Sequence, residues 1–71
     1  MLNINRKDIA DGLQCISVEL KNYNYAFYSF NKITEHEAVE LKGLLSNKYK
    51  DYTIDLRVDN QDFVFFVKKS V

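Results

Sequence analysis

His36 and Cys15 are the side chains best suited to acid–base, nucleophilic or metal chemistry, and neither has the company such chemistry needs. His36 lies among Glu35, Glu37 and Glu40, where it could transfer a proton or join a metal site. A structural zinc site takes four Cys or His ligands, and this chain has one of each. A solvated helix residue is therefore the expectation for His36. Cys15, between Gln14 and Ile16, has no cation within three residues to stabilise a thiolate, which fits a half-buried structural thiol better than a nucleophile. Gly12 and Gly43 stand alone, so no glycine-rich phosphate loop can form. The carboxylates are scattered over helix ends and turns. The expectation is a chain that is not an enzyme and holds no cofactor and no metal.

The residues with more to offer are aromatic and basic. Tyr and Arg bury area while keeping a polar handle, which suits protein interfaces. Tyr23, Tyr25, Tyr28, Tyr49, Tyr52 and Arg57 are of this kind, with Tyr49 and Tyr52 better suited to completing a small core and Tyr25 and Tyr28 equally suited to either role. Lys42, Lys48, Lys50, Arg57, Lys68 and Lys69 would form a basic patch for nucleic acid if the fold brought them together.

Composition narrows the classes further. The 71 residues make a single compact domain, 1–71, and 46% apolar with 14% aromatic content argues against disorder. Ten basic residues balance ten acidic ones, four against four through Glu35 and six against six beyond it. Such balance disfavours a duplex-binding surface and favours self-association. The lone Cys15 suits a reducing compartment, and no long apolar run suggests export or a membrane span, so a cytoplasmic location is expected. The absence of Pro and Trp beside many Asn, Lys, Ile and Tyr points to an AT-rich coding sequence of bacterial or phage type.

The element that must position these residues is Asp62-Phe63-Val64-Phe65-Phe66-Val67-Lys68. Its five consecutive apolar residues are too few for a soluble helix and rich in β-formers, so they predict a strand in mid-sheet, covered on both faces. Before it, Tyr52, Ile54, Leu56 and Val58 alternate with Thr53, Asp55 and Arg57, predicting a strand with one wet side. Asp59-Asn60-Gln61-Asp62 joins the two as a hairpin.

Thr34-Glu35-His36-Glu37 is a capping box that starts a helix whose buried face is Ala38, Leu41, Leu45 and Tyr49, with Leu44 at the margin. Tyr23 to Lys32 is aromatic throughout and predicts a strand. From Arg6 to Lys21, Ile9, Leu13, Ile16 and Leu20 form a helical stripe, with Asn5 suited to cap its start and Asn22 or Asn24 its end. Gly12 weakens that helix, and Ile16, Val18 and Leu20 also alternate as a strand would. The alternative is a short helix and a four-stranded α-β-β-α-β-β chain.

The fold class expected is α+β, in the order α-β-α-β-β, with two helices and a three-stranded mixed sheet ordered 1-3-2. A right-handed crossover makes the first two strands parallel, and the hairpin sets the third antiparallel between them. Ile54, Leu56 and Val58 would join Phe63, Phe65 and Val67 under the second helix. The opposite face would carry Val64 and Phe66 beside Asp55 and Arg57, with either the Tyr28 and Phe30 side or the Tyr25 and Phe27 side of the first strand. A first helix lying on that face gives three layers, which is the expectation for so small a chain. A first helix beside the second leaves an aromatic patch open to a partner.

The Phe63 strand lacks the basic residue and glycines of the base-stacking strand in RNA-recognition motifs. A winged helix is excluded too, because an aromatic strand stands where its first recognition-pair helix belongs. The functional expectation is a small non-enzymatic protein-binding module, an adaptor or inhibitor in a larger bacterial or phage assembly. It is expected to bind another protein or itself, as a homodimer through the aromatic face or an edge strand. Tyr25, Tyr28, Arg57, Val64 and Phe66 are its candidate partner-binding residues. The alternative is a nucleic-acid-binding domain using the basic patch and the aromatic sheet face.

Overall fold

The computed structural model describes residues 2–70. Its elements run α1 (Lys7–Tyr23), β1 (Tyr25–Phe30), α2 (Glu35–Lys48), β2 (Tyr52–Asp59) and β3 (Asp62–Lys69). The sheet is ordered β1-β3-β2, as the doubly apolar third strand requires. The strands that run parallel, β1 and β2, never touch, so the anticipated mixed sheet is antiparallel at both of its pairings.

Helix α1 follows the Ile9, Ile16 and Leu20 stripe, all three of which are buried, and excludes the four-stranded alternative. Its N-cap is Arg6 rather than Asn5, and no side chain caps it. The Asn5 amide is instead held by Asn3 Oδ1 at 3.0 Å, which draws Asn5 into the preceding turn. At the other end Asn24 takes the left-handed conformation, φ 63°, that a short polar side chain tolerates, and the chain reverses directly into β1.

Gly12, a weak point in sequence terms, is buried on the stripe. A Cβ there would overlap the Phe30 ring and stand 2.8 Å from Tyr28 Cε2, so the missing side chain is what lets β1 press against α1.

Helix α2 begins with the capping box: Glu37 N donates to Thr34 Oγ1 at 3.1 Å and Thr34 N to Glu37 Oε1 at 2.9 Å. Ala38, Leu41 and Leu45 are its buried positions. Tyr49 and Tyr52 are half-buried and meet edge to face at 5.8 Å. Between β2 and β3 the two-residue turn Asn60-Gln61 has both φ angles positive, 51° and 72°, the backbone of a type I′ hairpin.

Both helices pack on one face of the sheet, α1 over β1 and α2 over β2, with Phe65 of the central strand fully buried between them. Phe30 meets Phe65 edge to face at 5.5 Å. Complete burial of Phe65, Ile9, Ile16, Leu41, Leu45 and Val67 contributes about 1.5–3 kcal/mol per side chain and is the main source of stability. The expectation that α1 would cover the other face is corrected. The arrangement has two layers, because the second face interleaves its aromatic residues with Thr53, Asp55, Arg57 and Lys68, which α1 could not cover without taking charge out of water.

Arg6 ties the helices together across their N-terminal ends. Its guanidinium reaches Glu37 Oε2 at 2.9 Å and Asp8 Oδ1 at 2.8 Å, and it donates to the Lys32 carbonyl at 3.4 Å.

Candidate functional site

Register makes the open face a small grid. Tyr25, Lys68 and Thr53 form one row across β1, β3 and β2; Phe27, Phe66 and Asp55 form the next; Ser29, Val64 and Arg57 the third. Successive side chains alternate between faces, so these rows project away from both helices.

Phe27 and Phe66 form the centre. Their rings lie 5.4 Å apart and tilted by 37°, yet Phe27 remains 49% exposed and Phe66 38%. Val64, at 9%, is the floor beneath them, and Tyr25 extends the apolar surface to the sheet margin at 60% exposure. Arg57 lies diagonally across from Phe66 with its guanidinium carbon 5.4 Å from the ring centroid, a cation–π distance. Asp55 orients it, accepting from Arg57 Nε at 3.1 Å. Two hollows meet at Arg57 and Phe66, one running toward Thr53 and Lys68, the other toward Phe27 and Ser29.

Four of the five residues proposed from sequence therefore share one face: Tyr25, Arg57, Val64 and Phe66. Tyr28 does not. It lies on the helix side, half-buried, and meets Phe30 edge to face at 4.8 Å, because β1 turns its Ala26, Tyr28 and Phe30 side to the core. Phe27 takes its place on the open face. The signal for that phase was Ser29, the lone polar residue within Tyr25–Phe30, which shares the Phe27 side and so marks it as the wet one.

The remaining candidates fall elsewhere. His36 is solvent-exposed on α2 with Nε2 3.3 Å from Glu40 Oε1, and Cys15 is half-buried on α1. Among the described residues, no group of three His, Cys, Asp or Glu side chains is arranged to hold a metal ion. No described helix is long and apolar enough to cross a membrane.

Of the basic residues, Lys48, Lys50, Lys68 and Lys69 gather at one end of the molecule, joined by Lys21. Both helices end there, β2 begins there and β3 finishes there. The Lys69 amide donates to the Asn24 carbonyl and the Ser70 amide to the Asp51 carbonyl, closing that end. Lys42 and Arg57 lie apart from it. A chain of zero net charge thus has a cationic end, with Asp51 the acid nearest to it in sequence.

Compared with known proteins, the chain matches no family model, no curated protein and no solved structure, and its function has to be read from this surface.

Proposed function

We propose that the chain is a small non-enzymatic protein-binding module whose contact surface is the open face of the sheet, acting in a reducing cytoplasm as an adaptor or inhibitor within a larger bacterial or phage assembly. The observation that carries this reading is the Phe27–Phe66 pair, exposed at the centre of the face under the Arg57 guanidinium. A small chain gains by burying aromatic rings, and leaving two of them on a rigid sheet beside an oriented arginine matches the composition of protein contact hot spots. Thr53, Asp55, Lys68 and Ser29 give the face a polar rim, which suits another protein surface.

Site-specific photocrosslinking in the native host tests it. A crosslinker at Phe27 is expected to capture a discrete partner, and the capture should vanish when F66D is added. A crosslinker at Val39, exposed on α2, should capture nothing specific. Equal capture from both positions, or none from Phe27, would remove the reading.

A second reading, binding of single-stranded nucleic acid, draws on the lysine end, because Lys68 lies opposite Tyr25 and brings a cation next to a stackable ring. Association with single strands that weakens steeply as salt rises would favour it, and no binding at low salt would discard it.

A further inference from the structure

We propose that two copies of this chain join along the outer edge of β2, antiparallel and centred on Leu56, giving a continuous six-stranded sheet. This goes beyond the open-face reading and stands independently of it.

The hairpin determines which backbone groups are free. Asp59 and Asp62 close a two-residue turn, and hydrogen-bonded pairs alternate from there. Asp59, Arg57, Asp55 and Thr53 therefore direct their amides and carbonyls to β3, whereas Ile54, Leu56 and Val58 direct theirs outward.

The two edges of the sheet are treated differently. On β1 the same alternation turns the Phe27 amide outward, and Glu19 of α1 accepts from it at 2.9 Å, which obstructs the middle of that edge. On β2, among the described residues, no hydrogen bond reaches the outward groups of Ile54, Leu56 or Val58. Val58, apolar and 67% exposed, lies on this bare stretch. An eight-residue edge of this kind is a template for another strand.

The occupant follows from charge pattern. Outward residues can pair only with outward residues, so a two-fold pairing that overlaps most of β2 centres on Asp55, Leu56 or Arg57. Centring on Asp55 sets Asp55 against itself. Centring on Arg57 sets Arg57 against itself and Asp55 against Asp59. Centring on Leu56 places Asp55 opposite Arg57 of the second copy, twice by symmetry, and Ile54 opposite Val58. Asp55 and Arg57 already pair at 3.1 Å within one strand, so the same two groups can bridge the copies on the open face. The β2 edge is thus complementary to itself in one register and repulsive in those beside it.

Two measurements test the proposal. By sedimentation the chain should reach twice its 8.4 kDa mass at high concentration. R57D, which opposes acids twice, should raise the dimer dissociation constant about tenfold, and D55R/R57D should restore it. Because D55R sets an arginine directly opposite Phe66, the register-dependent crosslink of D55C with R57C is what separates the edge from the open face.

In a C15A background, D55C mixed with R57C should form a disulfide far faster than either alone. Directly opposite Cα atoms at a non-hydrogen-bonded pair lie about 4.5 Å apart, within disulfide reach. A monomer at millimolar concentration, a double variant no better than R57D, or a mixture that crosslinks no faster than its components would each overturn the proposal.

Discussion

The Phe30 ring fills the space that a side chain at Gly12 would occupy, so β1 and α1 meet at a point where only hydrogen fits. Gly43, on α2, has nothing among the described residues, beyond its chain neighbours and its own helix backbone, within 4 Å of where a Cβ would stand. The two glycines share a helical context and should respond oppositely to alanine. G12A gains helix propensity of about 1 kcal/mol but must displace two aromatic rings, and overpacking of that kind costs about 1–3 kcal/mol or more. Urea unfolding should show G12A destabilised and G43A stabilised by up to about 1 kcal/mol. A stabilised G12A would contradict the close approach.

Phe65 and Phe66 are neighbours in sequence on opposite faces of β3, fully buried and 38% exposed respectively. F65A should cost about 3–5 kcal/mol, enough to unfold a domain this small, whereas F66A should leave a folded chain only mildly weakened. Circular dichroism melts of the pair check this, and equal losses would mean that the open face is covered within the monomer.

The Arg6 guanidinium holds the Asp8 carboxyl below its ordinary range. Glu37 is lowered first by the Thr34 amide and then by Arg6. A carboxylate whose folded pKa is depressed binds protons more readily when unfolded. Its contribution is complete above the unfolded value of about 4 and disappears as pH falls through the lower folded values. The urea midpoint should therefore hold steady from neutral pH down to about 5 and drop below about 4. R6M should lower the neutral-pH midpoint and shrink the acid loss. An R6M profile parallel to that of the parent chain would place the acid sensitivity elsewhere.

Glu19 occupies the outward amide of Phe27 on the β1 edge. E19A should speed hydrogen exchange at the Phe27 amide and make that edge available to other strands, read as increased light scattering on prolonged incubation. E19Q, which keeps an acceptor oxygen, should retain most of the protection. Unchanged exchange in E19A would show that the carboxylate does not guard the edge.

Much of this architecture was legible in local pattern. The Thr34–Glu37 box starts α2 because its two reciprocal hydrogen bonds involve residues three apart, and any chain with that tetrapeptide at a helix start can make them. The alternation of Tyr52 to Val58 and the unbroken apolar run of Phe63 to Val67 encode an outer and a central strand through side-chain periodicity alone.

Two decisions lay beyond local pattern. Tyr25–Phe30 is aromatic on both sides and Ser29 alone hints at its wet side, so its phase was settled by fit: Phe30 and Tyr28 face α1 because Gly12 leaves room for them, and Phe27 turns outward as a result. The side on which α1 lies depended likewise on the whole sheet. The amphipathic stripe of α1 specifies that it must bury a face, but not which one. Only assembly of β2 and β3 put Asp55, Arg57 and Lys68 together on one side and Phe65 and Val67 on the other, making the second the better place to exclude water.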